Sequence, residues 1–124
     1  MKMKAILKVL ESEMNKLRKE YAGDTLYATL GDPFNDTKIY PKTRMDLELI
    51  EKRDAEGNLE YRFTDHKLVK DPNVITVTFD GEGYDYLSYE SEYHGFRNRL
   101  EERLEKLGVY IEDVFTWAFH IIEM

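Results

Sequence analysis

At 124 residues the chain has the length of one domain, and a second core would be too small to hold itself together, so residues 1-124 read as a single globular domain. Hydrophobic residues make up 42%, with nine Tyr, six Phe and one Trp, enough apolar mass to offset chain entropy although 35% of residues are charged. The absence of cysteine excludes a disulfide scaffold, a thiolate zinc site and a cysteine nucleophile, and a net charge of −7 opposes direct binding to a polyphosphate backbone.

The start of the chain, Met1-Lys2-Met3-Lys4 and then a stripe broken by Lys8, Glu11 and Glu13, lacks the apolar run of a secretory signal. No run approaches the roughly 20 apolar residues that cross a bilayer, so a protein of the reducing cytoplasm is expected. From Met3 to Tyr21 the residues Met3, Leu7, Leu10, Met14, Leu17 and Tyr21 recur in steps of four and three, an amphipathic helix that Gly23 ends. Its stripe is expected to pack on a sheet of its own domain; the alternative is a homodimer through this first helix. Thr25 to Leu30 alternates as a half-buried strand, Gly31-Asp32-Pro33 breaks it, and Phe34 to Arg44 has no clear period and reads as a surface loop.

Met45, Leu47 and Leu49 alternate with acidic residues, Asp54 to Asn58 makes a turn, and Leu59, Tyr61 and Phe63 alternate again, which is a β-hairpin. Asp71-Pro72-Asn73 separates it from Val74 to Phe79, rich in β-branched residues, and Asp80 to Gly83 turns that strand into a return strand over Tyr84 to Tyr89. Ser88 or Ser91 is placed to cap a second helix, with Glu90 and Glu92 in its first turn, Arg103 and Lys106 in its last, and Gly108 beyond its end. Tyr93, Phe96, Leu100, Leu104 and Leu107 form its inner stripe. Arg97 with Glu101 reads as an ordinary i,i+4 pair on the opposite face, and Gly95 suggests a close backbone approach. Phe115 to Ile122 is apolar on nearly all sides; a strand is expected, with a buried helix as the alternative.

These elements predict an α+β fold, in which an antiparallel or mixed sheet of about five or six strands is covered by an N-terminal helix and a second helix near the C-terminus, in the order α-β-ββ-ββ-α-β. Leu10, Leu17, Leu49, Tyr61, Val77, Phe96, Leu100 and Trp117 are expected to share its core.

No arrangement carries a reaction. The histidines His66, His94 and His120 are far apart with no partner at zinc-site spacing, and Asp54 to Asn58 lacks the sixth-position glycine and twelfth-position glutamate of a calcium loop. Asp46 with Asp65-His66-Lys67 could hold Mg²⁺ for phosphodiester cleavage, but such residues at strand ends are ordinary turn chemistry. We therefore expect no enzyme activity, no catalytic or metal-binding residues and no cofactor. Charge is unevenly placed: residues 1–44 carry +3, and residues 80–93 carry −5 with four tyrosines and no positive charge. Asp80, Glu82, Asp85, Glu90 and Glu92 suit long-range attraction of a basic surface, and Tyr84, Tyr86, Tyr89 and Tyr93 supply rigid contact area. The expectation is a small non-enzymatic protein that occludes a basic, nucleic-acid-binding type of site on a protein partner through these nine residues, with no membrane and no direct nucleic-acid binding. The plainer alternative is a hairpin whose tyrosines cover the sheet, next to a helix cap. In composition alone the chain resembles the acidic, cysteine-free inhibitors of phages and mobile elements, such as anti-CRISPR and DNA-mimic proteins. That resemblance carries no motif and transfers no residue.

Overall fold

The N-terminal stripe folds as the helix α1 (Met3–Gly23), two residues longer than its periodicity suggests, and its inner residues Ile6, Leu10, Met14, Leu17 and Tyr21 are buried within the chain's own core. The computed structural model describes the backbone of every residue except 26–28 and 30, and all side chains except those of these residues and of 47–50, 52 and 60–65. The strand expected over Thr25 to Leu30 lies mostly outside the described residues. After it Gly31 takes a left-handed φ of 78°, and Asp32 Oδ1 accepts from the Phe34 amide and from Arg18 Nε, each at 2.9 Å, which turns the chain into the sheet.

Four strands are present among the described residues: β1 (Thr37–Arg53), β2 (Leu59–Phe79), β3 (Val109–Phe115) and β4 (Ala118–Glu123), all paired antiparallel in the order β1-β2-β4-β3. The architecture is thus α+β, with four strands in place of five or six. Three readings within the strands differ, and the lower count comes from the segment 84–89, described below, and from 25–30, most of which is outside the described residues. The expected loop over 34–44 is strand from Thr37 onward, because Thr37 to Pro41 ladders against Phe79 to Ile75. Asp71-Pro72-Asn73 does not end a strand: pairing jumps from Pro41↔Ile75 to Thr43↔Lys70, leaving Lys42 (φ 53°) on one side and residues 71–74 on the other as a bulge, where proline's missing N–H costs no ladder bond. The C-terminal apolar run is strand, yet it is two strands, β3 and β4, turning at Thr116-Trp117.

The expected hairpin turn is present. Asp54 Oδ1 accepts from the amides of Glu56 (3.1 Å) and Asn58 (2.8 Å), and Gly57 supplies the left-handed φ of 82°. The segment expected as a return strand, Tyr84 to Tyr89, is instead the short helix α2 (Glu82–Leu87), followed by α3 (His94–Glu105). Both edges of the inner part of β2 are occupied, by β1 and by β4, so 84–89 cannot pair with β2 as its return strand.

Ile75, Val77 and Phe79 of β2 with Phe119 and Ile121 of β4 face α1 and α3, and with Leu10, Leu17, Phe96 and Leu100 they form the core. Leu49 and Tyr61 lie outside the described side chains. Trp117 is not in this core; it stacks on Phe115 (5.3 Å between centroids) and takes the edge of His66 at 5.1 Å. Gly95 shows no close backbone approach, since an added Cβ would meet only Arg99 Nη1 at 3.7 Å.

The outer half of the β1–β2 hairpin does not project away. At the bulge it folds back across the sheet face opposite the helices, so that the Thr43 carbonyl accepts from Thr76 Oγ1 (2.7 Å) and the Met45 amide donates to His120 Nε2 (3.0 Å). Met45, Val74 and Ala118 are buried there, apart from the main core.

Candidate functional site

The chain leaves β2 at Asp80, turns at Gly81 (φ 58°) and enters α2, whose buried residues Gly83 and Leu87 are four apart and so share one helix face. Gly83 is forced by proximity: a Cβ there would overlap Thr37 Oγ1 and touch the Phe79 side chain at 3.6 Å. This contact, with Tyr84 against Phe79 at 6.5 Å between ring centroids, seats α2 on the end of the sheet.

Beyond α2 the chain is held by its own serines. Ser88 Oγ accepts from the Glu90 amide (3.3 Å), and Ser91 Oγ accepts from the Tyr93 amide (3.1 Å) and donates to the Asp85 carbonyl. Neither serine caps α3, which begins at His94 with Tyr93 in the cap position and no side-chain cap bond. Glu90 and Glu92 therefore precede the first turn instead of lying in it. The serines were read as helix caps because their local hydrogen bonds use the same chemistry as a cap; here they close turns.

Arg97 anchors this segment from below. It is buried, not on the exposed face where its spacing to Glu101 placed it. Its guanidinium donates to the Leu87 carbonyl (3.2 Å), to Asp113 Oδ2 (2.8 Å) and to Glu101 Oε1 (2.9 Å), and lies 5.7 Å from the Phe119 ring centroid. Burial opposes its charge, but these hydrogen bonds and the two carboxylates outweigh that and raise its pKa. One side chain so ties the end of α2 to α3, β3 and β4.

The nine expected contact residues divide by exposure. Asp80, Asp85, Glu90 and Glu92 are exposed, Glu82 is half-buried, and among the described residues none of these carboxylates forms an ion pair with Lys or Arg. Tyr89 and Tyr93 are exposed at 46% and 69%. Tyr84 is half-buried and donates to Glu90 Oε2 at 3.0 Å. Tyr86 points inward, against Phe34 (6.1 Å), Phe96 (6.0 Å) and Tyr21 (6.3 Å), with its hydroxyl 2.6 Å from that of Tyr21.

Sequence reasoning missed Tyr21, which belongs to this site. As the last aromatic of the α1 stripe it reads as core, and only its terminal hydroxyl hints at a second role. Burial above all, then the neighbouring Tyr86 hydroxyl and Glu82 carboxylate, pushes the pKa of that hydroxyl up. Tyr21, Glu82, Asp85, Tyr86 and Tyr93 line a cleft of about 290 Å³ where the end of α1 meets α2.

A second buried charge was also missed. Glu13 of α1 is 2% exposed, and its Oε1 accepts from Arg103 Nη1 (2.9 Å) and Lys16 Nζ (3.1 Å), while Oε2 has no hydrogen-bond partner and lies 3.9 Å from Arg99 Nε. It clamps α1 to α3 and faces no cleft residue. The residues considered for metal chemistry are not drawn into a cluster: Asp46 lies across the ladder from Lys67 and pairs with Arg44 (3.2 Å), and the side chain of Asp65 lies outside the described set. Among the described residues no three His, Asp or Glu side chains converge as a metal requires, and no helix is long and apolar enough to cross a membrane. No family model, curated protein or solved structure matches the chain.

Proposed function

We propose that this protein is a non-enzymatic binding protein that covers a basic site on a protein partner with the face built by residues 80–93. The observation that carries the reading is the cleft itself, in which two carboxylates, Glu82 and Asp85, share a concave surface with the rings of Tyr21, Tyr86 and Tyr93. A guanidinium or ammonium entering it meets charge-assisted acceptors and aromatic faces together, the pairing that binds arginine and lysine side chains best. Around the cleft, Asp80, Glu90 and Glu92 add long-range attraction, and Tyr89 and Tyr93 are the exposed anchors. Occlusion of a groove that ordinarily holds nucleic acid, the anti-CRISPR or DNA-mimic form of inhibition, is the finer version of this proposal. Dimerisation through α1 would have to use its outer face, since its apolar stripe lies in the core of its own chain.

An arginine-rich peptide is the probe, titrated at low salt into ¹⁵N-labelled protein. We expect shifts concentrated at the amides of Glu82, Asp85 and Tyr93, and an affinity that falls with added salt. Asp85→Asn with Glu82→Gln should weaken binding by about tenfold or more and flatten the salt dependence, as loss of two attracting charges requires. Shifts centred elsewhere, or an affinity indifferent to both substitutions, would sink the proposal.

A further inference from the structure

The hairpin that folds back over the sheet is held by unusual partners. Among the described residues β1 is an edge strand, so alternate backbone groups along it face outward without a described neighbouring strand. At Thr43 and Met45 two of those groups are met by side chains of the sheet, Thr76 on β2 and His120 on β4, which stand side by side in the register. The Met45 bond sets the chemistry of the ring. A backbone amide can only donate, so Nε2 of His120 must be a bare acceptor, and the proton of the neutral imidazole must sit on Nδ1. There it points to Glu112 Oε1, 3.2 Å away on β3.

We propose that His120 is a proton-sensitive latch, holding the hairpin against the sheet while its imidazole is neutral and releasing it when the ring takes a second proton. A proton on Nε2 faces the Met45 N–H donor to donor, converting an attraction into a repulsion at a site that is 6% exposed. The imidazolium nevertheless keeps its partner on the sheet side, because Glu112 belongs to β3 and stays beside His120 through the β3–β4 ladder. The added charge is therefore accepted by the sheet and rejected by the hairpin, so the proton favours the released arrangement. The sign follows from the atom that takes the proton: attachment weakens as pH falls, since a protonated Nε2 can no longer accept from the Met45 amide. Glu112 is the ionisable group in contact with the ring among the described residues. From the hairpin, Arg44 and Asp46 flank Met45 and pair with one another at 3.2 Å, and Arg44 also reaches Asp71 at 3.8 Å. His66 packs on Phe115 (4.4 Å) and Trp117, and Lys67 lies opposite Asp46. Thr76, on β2, carries no charge. Release would uncover Val74, Thr76 and Ala118, all buried under the hairpin.

The test is amide hydrogen exchange by NMR on the intact chain, with protection of the Met45 amide expressed relative to its intrinsic exchange rate between about pH 8 and 5, the window in which imidazoles change charge. We expect Met45 protection to fall by about tenfold or more across this window, as loss of a buried hydrogen bond requires, while Phe119 and Ile121 of β4 stay protected. His66→Gln should leave the response in place. His120→Gln, whose side-chain oxygen can accept from Met45 and cannot titrate, should abolish it. A flat profile in the unaltered protein, parallel loss of protection at Phe119, or an unchanged response in His120→Gln would overturn the proposal, and the first two need no variant to fold. None of these outcomes bears on the cleft at Glu82 and Asp85, so the two readings fail separately.

Discussion

Arg97→Met is the most demanding test of how the candidate site is held in place. Methionine keeps the apolar bulk of the stem, so the cost comes from lost donors and not from a cavity. The Leu87 carbonyl is left without its donor, at about 1 to 3 kcal/mol for a buried acceptor. Asp113 and Glu101 are 31% and 39% exposed and can rehydrate, so their lost ion pairs are discounted to about 1 kcal/mol together. The stacking on Phe119 contributes about 0.5 to 1 kcal/mol. The sum is about 2.5 to 5 kcal/mol, a fall in Tm of about 10 to 20 °C for a domain of this size. Urea denaturation followed by circular dichroism at neutral pH measures it, with Glu101→Gln as the comparison. If Arg97 and Glu101 were only a surface i,i+4 pair, both substitutions would cost a few tenths of a kcal/mol. An Arg97→Met variant within about 1 kcal/mol of the unaltered protein, or no worse than Glu101→Gln, refutes the assignment of Arg97 as the tie between α2, α3, β3 and β4.

Two further outcomes follow from the packing. Burial raises the Glu13 carboxyl, but the hydrogen bonds from Arg103 and Lys16 outweigh it and hold its pKa below the ordinary 4.5, so its stabilisation is complete above the ordinary carboxylate range and is lost as pH falls through the lower folded value. Acid denaturation of Glu13→Gln should show a shallower loss of stability below about pH 5; a slope identical to that of the unaltered protein would contradict this. At the seat of α2, Gly83→Ala should cost about 1 to 3 kcal/mol through overlap with Thr37. Thr37 Oγ1 is buried without a hydrogen-bond partner, so Thr37→Ala alone should be nearly neutral and should recover much of that loss in the Gly83→Ala background; strictly additive costs in a double-mutant cycle would be the failing result.

What could be read from the sequence is what a single element decides for itself. The α1 stripe has one apolar face at helical period, and the alternation from Met45 to Phe63 around Asp54 to Asn58 is a local ladder with its own turn, so both were legible. What could not be read depends on neighbours distant in the chain. Arg97 looks like a surface residue because its nearest partner in sequence is Glu101, whereas the partners that bury it are Leu87, Asp113 and Phe119. Asp71-Pro72-Asn73 reads as a break because nothing local shows that Lys70 and Ile75 meet Thr43 and Pro41 across one ladder.

The segment 80–93 shows how such a miss changes a functional argument. Tyr84 and Tyr86 on either side of Asp85 mimic a strand, and in a strand they would stand on one face beside each other as contact residues. Because β4 already holds the free edge of β2, the segment closes into a helix, and the two rings part: Tyr84 settles over Phe79 and bonds Glu90, and Tyr86 turns into the aromatic cluster of Tyr21, Phe34 and Phe96. Tyr86 is then a wall of the cleft, so Tyr86→Ala would disturb folding as well as binding and makes a poor probe of contact. The same winding brings Glu82 and Asp85, three residues apart and thus neighbours on a helix surface, to the rim where the Tyr21 hydroxyl and the Tyr93 ring meet them. As a strand the segment would offer a flat acidic band suited to attraction alone; as a helix it gives the concave cleft on which the proposed recognition of one basic side chain rests.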